Sequence, residues 1–319
     1  MRPSRTQLPL LTTAAVLALL YAAGAARYPA FLSWGVAVNL LRDNAFLGLA
    51  SIGMTFVILT GGIDLSVGAM VGFSSILVAV LVQRHHVHPL PAFAVAGAAG
   101  TALGAGMGAL IRWFALPPFL VTLAGMFLAR GLGFVVSMES ISIEHPFHSV
   151  LTGLGATTLP LPAAALLVGF AAAIYLAHWT RFGRNVYAVG GSEPSAILMG
   201  LPVGATKVLV YALSGLCAAL AGVVYTIYTS SGSATAGTTL ELDAIASVAI
   251  GGTLLTGGVG YPLGTLLGVL ILGIIQTLIA FEGTLSSWWT RIAVGGLVLV
   301  FVLLQRLLHS RASRGEIAA

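Results

Sequence analysis

The feature that most constrains this chain is a succession of long apolar runs separated by short stretches of Gly, Pro and charge. They lie near 8–26, 44–60, 65–83, 91–111, 118–137, 161–179, 207–228, 241–256, 262–281 and 287–305. A helix that crosses the hydrocarbon core of a bilayer needs about 20 mostly apolar residues, and each run is close to that length. Only 7% of the 319 residues are charged and 58% are hydrophobic, so no water-soluble fold hides that much apolar surface. The sequence predicts an all-α polytopic membrane protein of about ten transmembrane helices, forming one domain over 1–319 with no room for a soluble unit.

Basic residues set the expected topology. With the N-terminus inside, Arg2, Arg5, Arg112, Arg181, Arg184, Lys207, Arg306, Arg311 and Arg314 fall on the cytoplasmic side, the last three in a basic C-terminal tail over 306–319. Arg27, Arg42 and Arg84 fall outside, and Arg130 and Arg291 are taken as lying near helix ends, where they snorkel. An even number of spans puts both termini in the cytoplasm. The first run resembles a signal peptide but is expected to be an uncleaved span, because the rest of the chain is equally apolar.

Several function classes drop out. The net charge of +5 is scattered at the ends of apolar runs, not gathered with aromatics into a basic face, which argues against nucleic acid. A P-loop needs the lysine of GxxxxGK[ST], and the only lysine, Lys207, stands in VGATKV. There is no HExxH, no GxSxG and no pair of carboxylates on one helix face, so nothing nominates an enzyme. His85, His86 and His88 crowd one short outer loop and are expected to be solvated, with no metal site. Cys217 is expected to be a small buried residue.

Three features carry functional expectations. The first is GGIDLSVG at 61–68, which interrupts two strongly apolar runs with glycine and a carboxylate. Asp64 and Ser66 either cap the next helix or line a polar path or moving hinge, since carboxylates at membrane depth are seldom idle. A second Thr-Gly-Gly element recurs in SVAIGGTLLTGGVGYPLGTLLG from Ser247, and broken helices repeated in both halves point to a transport pathway.

The second feature is the polar cytoplasmic stretch over about 180–207. Pro194 suits the first turn of a short helix capped by Ser192 or Glu193, Gly200 suits its end, and Leu198 and Met199 would then be displayed to a cytoplasmic partner. The third is a set of polar residues within spans, of which Asn44, Thr55, Thr122 and Gln276 are candidate solute contacts, with Phe46, Phe73, Phe119 and Trp288 as candidate walls.

NAFLGLASIGMTFVILTGGIDLSVG from Asn44, TLAGMFLARG from Thr122, RFGRNVYAVGGSEPSAILMG from Arg181, ELDAIASVAIGGTLLTGGVG from Glu241 and GTLSSWWTRIAVG from Gly283 together resemble the permease subunits of bacterial monosaccharide ABC importers. The likeness covers nearly the whole chain. The last of these segments, with SMESISIEHP from Ser137, is more similar to galactofuranose-importer permeases than to ribose permeases.

The resemblance implies a bacterial inner-membrane complex with a second, different permease chain, a periplasmic sugar-binding protein and a cytoplasmic ATPase of two nucleotide-binding domains. That ATPase, not this chain, would hold ATP and Mg. The family's coupling region matches 184–200, which assigns Arg184, Gly190, Gly191, Glu193, Pro194, Ala196, Leu198, Met199 and Gly200 to ATPase docking. The rival reading is an ion-coupled secondary sugar transporter using Asp64 or Asp243.

Overall fold

A computed structural model describes residues 8–155, 158–283 and 288–317, except for the side chains of residues 8, 9, 302 and 304–317. Arg2, Arg5 and the side chains of the basic 306–319 tail therefore lie outside the described residues.

The chain is helical almost throughout. In order run α1 Leu8–Arg27, α2 Trp34–Asp43, α3 Ala45–Leu59, α4 Val67–Gln83, α5 Pro89–Trp113, α6 Pro118–Val136, α7 Pro146–Gly153 and α8 Leu161–Trp179. They are followed by α9 Arg181–Gly191, α10 Glu193–Leu198, α11 Val203–Thr229, α12 Leu240–Ile250, α13 Pro262–Glu282 and α14 Trp288–Ile317. One two-residue antiparallel ladder joins β1 Ile141–Ser142 to β2 Ser231–Gly232, with Ile141 opposite Gly232.

Many starts follow from proline, which fits a first turn because its missing N–H would be unpaired there anyway. Pro89, Pro118, Pro146 and Pro262 each open a helix. Among the described residues, six helices (α1, α5, α6, α8, α11 and α13) are long and apolar enough to cross a membrane, and α2 and α3 form a pair bent by 52° that passes the same test together. The shorter α4, α12 and apolar first part of α14 account for the remaining runs.

Three boundaries differ from the sequence expectation. The run at 44–60 is only the second half of the bent span, because Arg42 and Asp43 mask the apolar character of α2. The run at 241–256 stops as helix at Ile250, where Gly251 and Gly252 open a second break. The outer stretch 138–160 holds β1 and α7, which is capped by His145 through its Nδ1.

Every residue of α3 except Phe46 is buried, and α4 is buried on nearly all sides. A helix apolar all round belongs in the centre of a bundle. α11 packs on α5 through a glycine stripe: a β-carbon on Gly104 would overlap the Tyr211 carbonyl, and one on Gly215 the Gly100 carbonyl. Small residues let backbones approach where lipid supplies no hydrophobic drive between helices. By contrast, α6 leaves Phe127, Leu128 and Val135 exposed.

Candidate coupling and pathway site

The two Thr-Gly-Gly elements meet. Both are breaks in which glycine takes left-handed backbone angles, Gly61 at φ +79° and Gly257 and Gly258 at +90° and +76°, a region that side-chain-bearing residues rarely enter. The Gly258 N–H donates to the Leu59 carbonyl at 2.9 Å, closing one break onto the other. Above them Ser51 and Ser247 share a hydroxyl contact of 2.9 Å, and Thr55 and Thr265 one of 2.8 Å. Ser51 and Ser247 are separated by 196 residues, the separation that also relates Thr60 to Thr256. Equivalent positions of the repeat thus touch one another, as elements near a two-fold axis do.

Asp64 ties the first break to α11. Its Oδ1 accepts from the Ser66 N–H at 2.9 Å and the Ser66 hydroxyl at 2.6 Å, and its Oδ2 accepts from the Ser214 hydroxyl at 2.7 Å. The residue is fully buried. The capping expectation divides here: Ser66 occupies the N-cap position of α4, without a side-chain cap bond, whereas Asp64 closes a turn ahead of the helix and turns its other oxygen across the bundle. Thr122 on α6 supports the same break, its hydroxyl donating to the Ile63 carbonyl at 3.1 Å.

The cytoplasmic stretch folds as two helices. Thr180 caps α9, its hydroxyl accepting from Gly183 N, and Ser192 caps α10, accepting from Ser195 N. Pro194 lies in the first turn of α10 and Gly200, at φ +72°, follows its end. Buried Ala196 anchors α10 against Val189 and Val203, and Lys207 pairs with Glu193 at 2.7 Å. Arg184 is exposed on α9. Ile197, Leu198 and Met199 are left 58%, 89% and 66% exposed on the outer side of the α10 turn.

This exposed turn is connected to the breaks. A β-carbon on Gly190 would overlap the Leu59 carbonyl oxygen and lie 2.5 Å from Gly258 N, while Gly191 supports Gly258 from the same side. Tyr187 donates its hydroxyl to the Gly260 carbonyl at 2.8 Å, and burial pushes its phenol up to about 12, so it stays a neutral donor. The contact of α9 with both breaks was not foreseen. Glycine pairs at 61–62, 190–191 and 257–258 were its visible signal, but spacing along a chain does not say which pairs meet.

The remaining candidates are placed as follows. Asn44, at the bend of α2 and α3, donates to the Leu40 carbonyl and sits against Gly273. Phe73 is buried, and Phe46 packs edge-on against Tyr225. Phe119 and Trp288 are exposed, as is Gln276 on α13. Asp64, Ser66 and Thr122 are thus brought together at one break, whereas Phe46 stands at the far end of α3. Arg130 does not snorkel at a helix end: it lies well inside α6, its guanidinium donating to the Ala234 and Ala236 carbonyls.

Residues 36–303 match the family described as branched-chain amino acid transport system / permease component. An inner membrane ABC transporter permease protein of Escherichia coli, YjfF, is 50% identical over 95% of this chain and 93% of its own. The ribose import permease protein RbsC of Bacillus subtilis is 42% identical over 87% of each chain. The fructose import permease protein FruG of Bifidobacterium longum is 38% identical over 95% of this chain and 92% of its own. No solved structure matches the chain.

Proposed function

Because this chain belongs to the branched-chain amino acid transport system / permease component family, we propose that it is the membrane-spanning permease subunit of an ATP-driven, binding-protein-dependent monosaccharide importer. Two curated relatives covering most of its length are a ribose and a fructose import permease. The finer assignment, galactofuranose or a related monosaccharide, rests on the likeness carried by the segments from Ser137 and Gly283. The chain works in the bacterial inner membrane with both termini in the cytoplasm, beside a second, different permease chain and a periplasmic sugar-binding protein. A two-domain cytoplasmic ATPase supplies ATP and Mg chemistry.

The observation that carries this reading is the continuity from an exposed apolar turn to both broken helices. Ile197, Leu198 and Met199 offer a small hydrophobic knob of the kind that seats in a partner's groove. α9 continues from that knob to Gly190, which touches Leu59 and Gly258. Displacing α10 therefore pushes on the point where the two breaks are hydrogen-bonded together. Asp64, fixed to Ser66 and Ser214, serves as the anchor about which the first break turns. The permease does no chemistry; it converts motion of its motor into alternating access.

Leu198→Asp is expected to lower co-purification of the ATPase and uptake of labelled ribose, fructose or galactofuranose by at least tenfold, with membrane insertion unchanged. Deletion of 192–198 should do the same. Uptake that persists without the ATPase subunit and follows the proton gradient would instead establish the ion-coupled transporter.

A further inference from the structure

A second polar cluster stands away from the cytoplasmic junction, at the start of α12. Its depth follows from the fold. Asp64 bonds Ser214, and the Ser214 backbone is against Gly53 in the middle of α3, so the chain climbs back to the middle of that helix before α4 begins. The loop at 233–239 runs beside the first turns of α4: β-carbons on Gly68 and Gly72 would crowd the carbonyls of Gly237, Ala234 and Ala236. The Glu241 carboxylate lies against Gly68, and Arg130 comes to the same loop from within α6.

Four charges gather there. Arg130 and Glu241 are electrostatic neighbours, and so are Asp243 and Arg291. Neither pair is closed into a direct salt bridge, and Oε2 of Glu241 is buried without a hydrogen-bond partner. Arg291 also donates to the Thr239 hydroxyl at 3.2 Å. Thr239 holds φ +69°, a left-handed conformation that is strained for a β-branched residue and is kept where a site demands it. The cluster is not sealed inside the bundle: Thr238, Leu242 and Arg291 are exposed and Glu241 and Asp243 are half-buried.

Charged groups exposed at mid-membrane cannot face lipid, where each is costly unless paired or hydrated. We propose that Arg130, Thr239, Glu241, Asp243 and Arg291 form the polar wall of a water-filled passage, and that this wall hydrogen-bonds the hydroxyls of a neutral polyhydroxylated solute. Two cations and two anions give the wall no net charge with which to favour one sign of ion. Carboxylates accept from sugar hydroxyls, while guanidinium and threonine groups donate to sugar oxygens. The solute class rests on the importer reading above; the wet wall does not.

The test uses the assembled complex in native membranes, with Cys217→Ala removing the only cysteine of this chain and the same complex without an introduced cysteine as the labelling baseline. Thr238→Cys and Leu242→Cys are each exposed to a membrane-impermeant, negatively charged methanethiosulfonate, alongside Leu19→Cys on the exposed face of α1. Modification at the two wall positions is expected at least tenfold faster than at Leu19→Cys, and equal rates would overturn the passage. Separately, Glu241→Gln and Asp243→Asn should lower uptake of labelled monosaccharide at least tenfold while the complex still assembles and hydrolyses ATP. Unchanged uptake would remove these groups from solute contact. A parent complex that imports no monosaccharide, with the labelling pattern intact, would sink the sugar reading and keep the wall.

Discussion

Gly190→Val is expected to reduce sugar uptake to less than a tenth of the wild-type rate while the ATPase still co-purifies and still hydrolyses ATP. The added β-carbon meets the Leu59 carbonyl oxygen and Gly258 N. Those two atoms are themselves hydrogen-bonded to each other at 2.9 Å. Neither belongs to a side chain that can swing aside, so relief requires moving α9 away from the junction or prising the breaks apart. Overpacking of this kind costs about 1–3 kcal/mol, enough to displace α9 without unfolding the bundle. The exposed turn at Ile197, Leu198 and Met199 is untouched, so under the proposed docking the motor should stay bound but no longer be geared to the breaks. Gly106→Val, on the exposed face of α5, is the matched control, since a β-carbon there meets nothing; its uptake should stay close to wild type. Normal uptake by Gly190→Val, measured beside that control, would break the mechanical link between α10 and the broken helices.

What the sequence discloses and what it hides divide along physical lines. Membrane helices announce themselves by composition, because lipid demands apolar side chains and internally satisfied backbones, and the ten runs correspond to ten passes or part-passes. The α10 turn was also legible, since Ser192, Pro194 and Gly200 are local signals that act within a few residues of themselves. α2 was missed because Arg42 and Asp43 interrupt its apolar face. The role of Asp64 was half visible: its bond to Ser66 spans two residues, but its bond to Ser214 spans 150. Only folding brings such partners together. The same limit hid the wall at α12, where Arg130 and Glu241 come from opposite halves of the chain.

Asp64→Leu is expected to destabilise the bundle severely, and Asp64→Asn to be among the mildest substitutions at the same position. Three donors converge on the carboxylate: the Ser66 N–H, the Ser66 hydroxyl and the Ser214 hydroxyl. Leucine supplies no acceptor. The two hydroxyls can turn toward backbone carbonyls, but the Ser66 N–H is fixed by the chain and loses its partner in a site closed to water. An unsatisfied buried donor costs about 1–3 kcal/mol, and the branched side chain must also fit beside Tyr211, whose hydroxyl already lacks a partner. Together these predict a loss of about 2–4 kcal/mol, seen as a protein that fails to accumulate in membranes or melts many degrees lower in detergent. Asparagine keeps one oxygen for Ser66, and its amide donates to the Ser214 oxygen once that hydroxyl turns round. Accumulation and melting of Asp64→Asn should therefore match wild type, and uptake should follow them if the residue is an anchor. Uptake lost with folding intact would show that the negative charge itself is used, as an ion-coupled carrier requires. Equal stability of Asp64→Leu and wild type would remove Asp64 as the tie between the first break and α11.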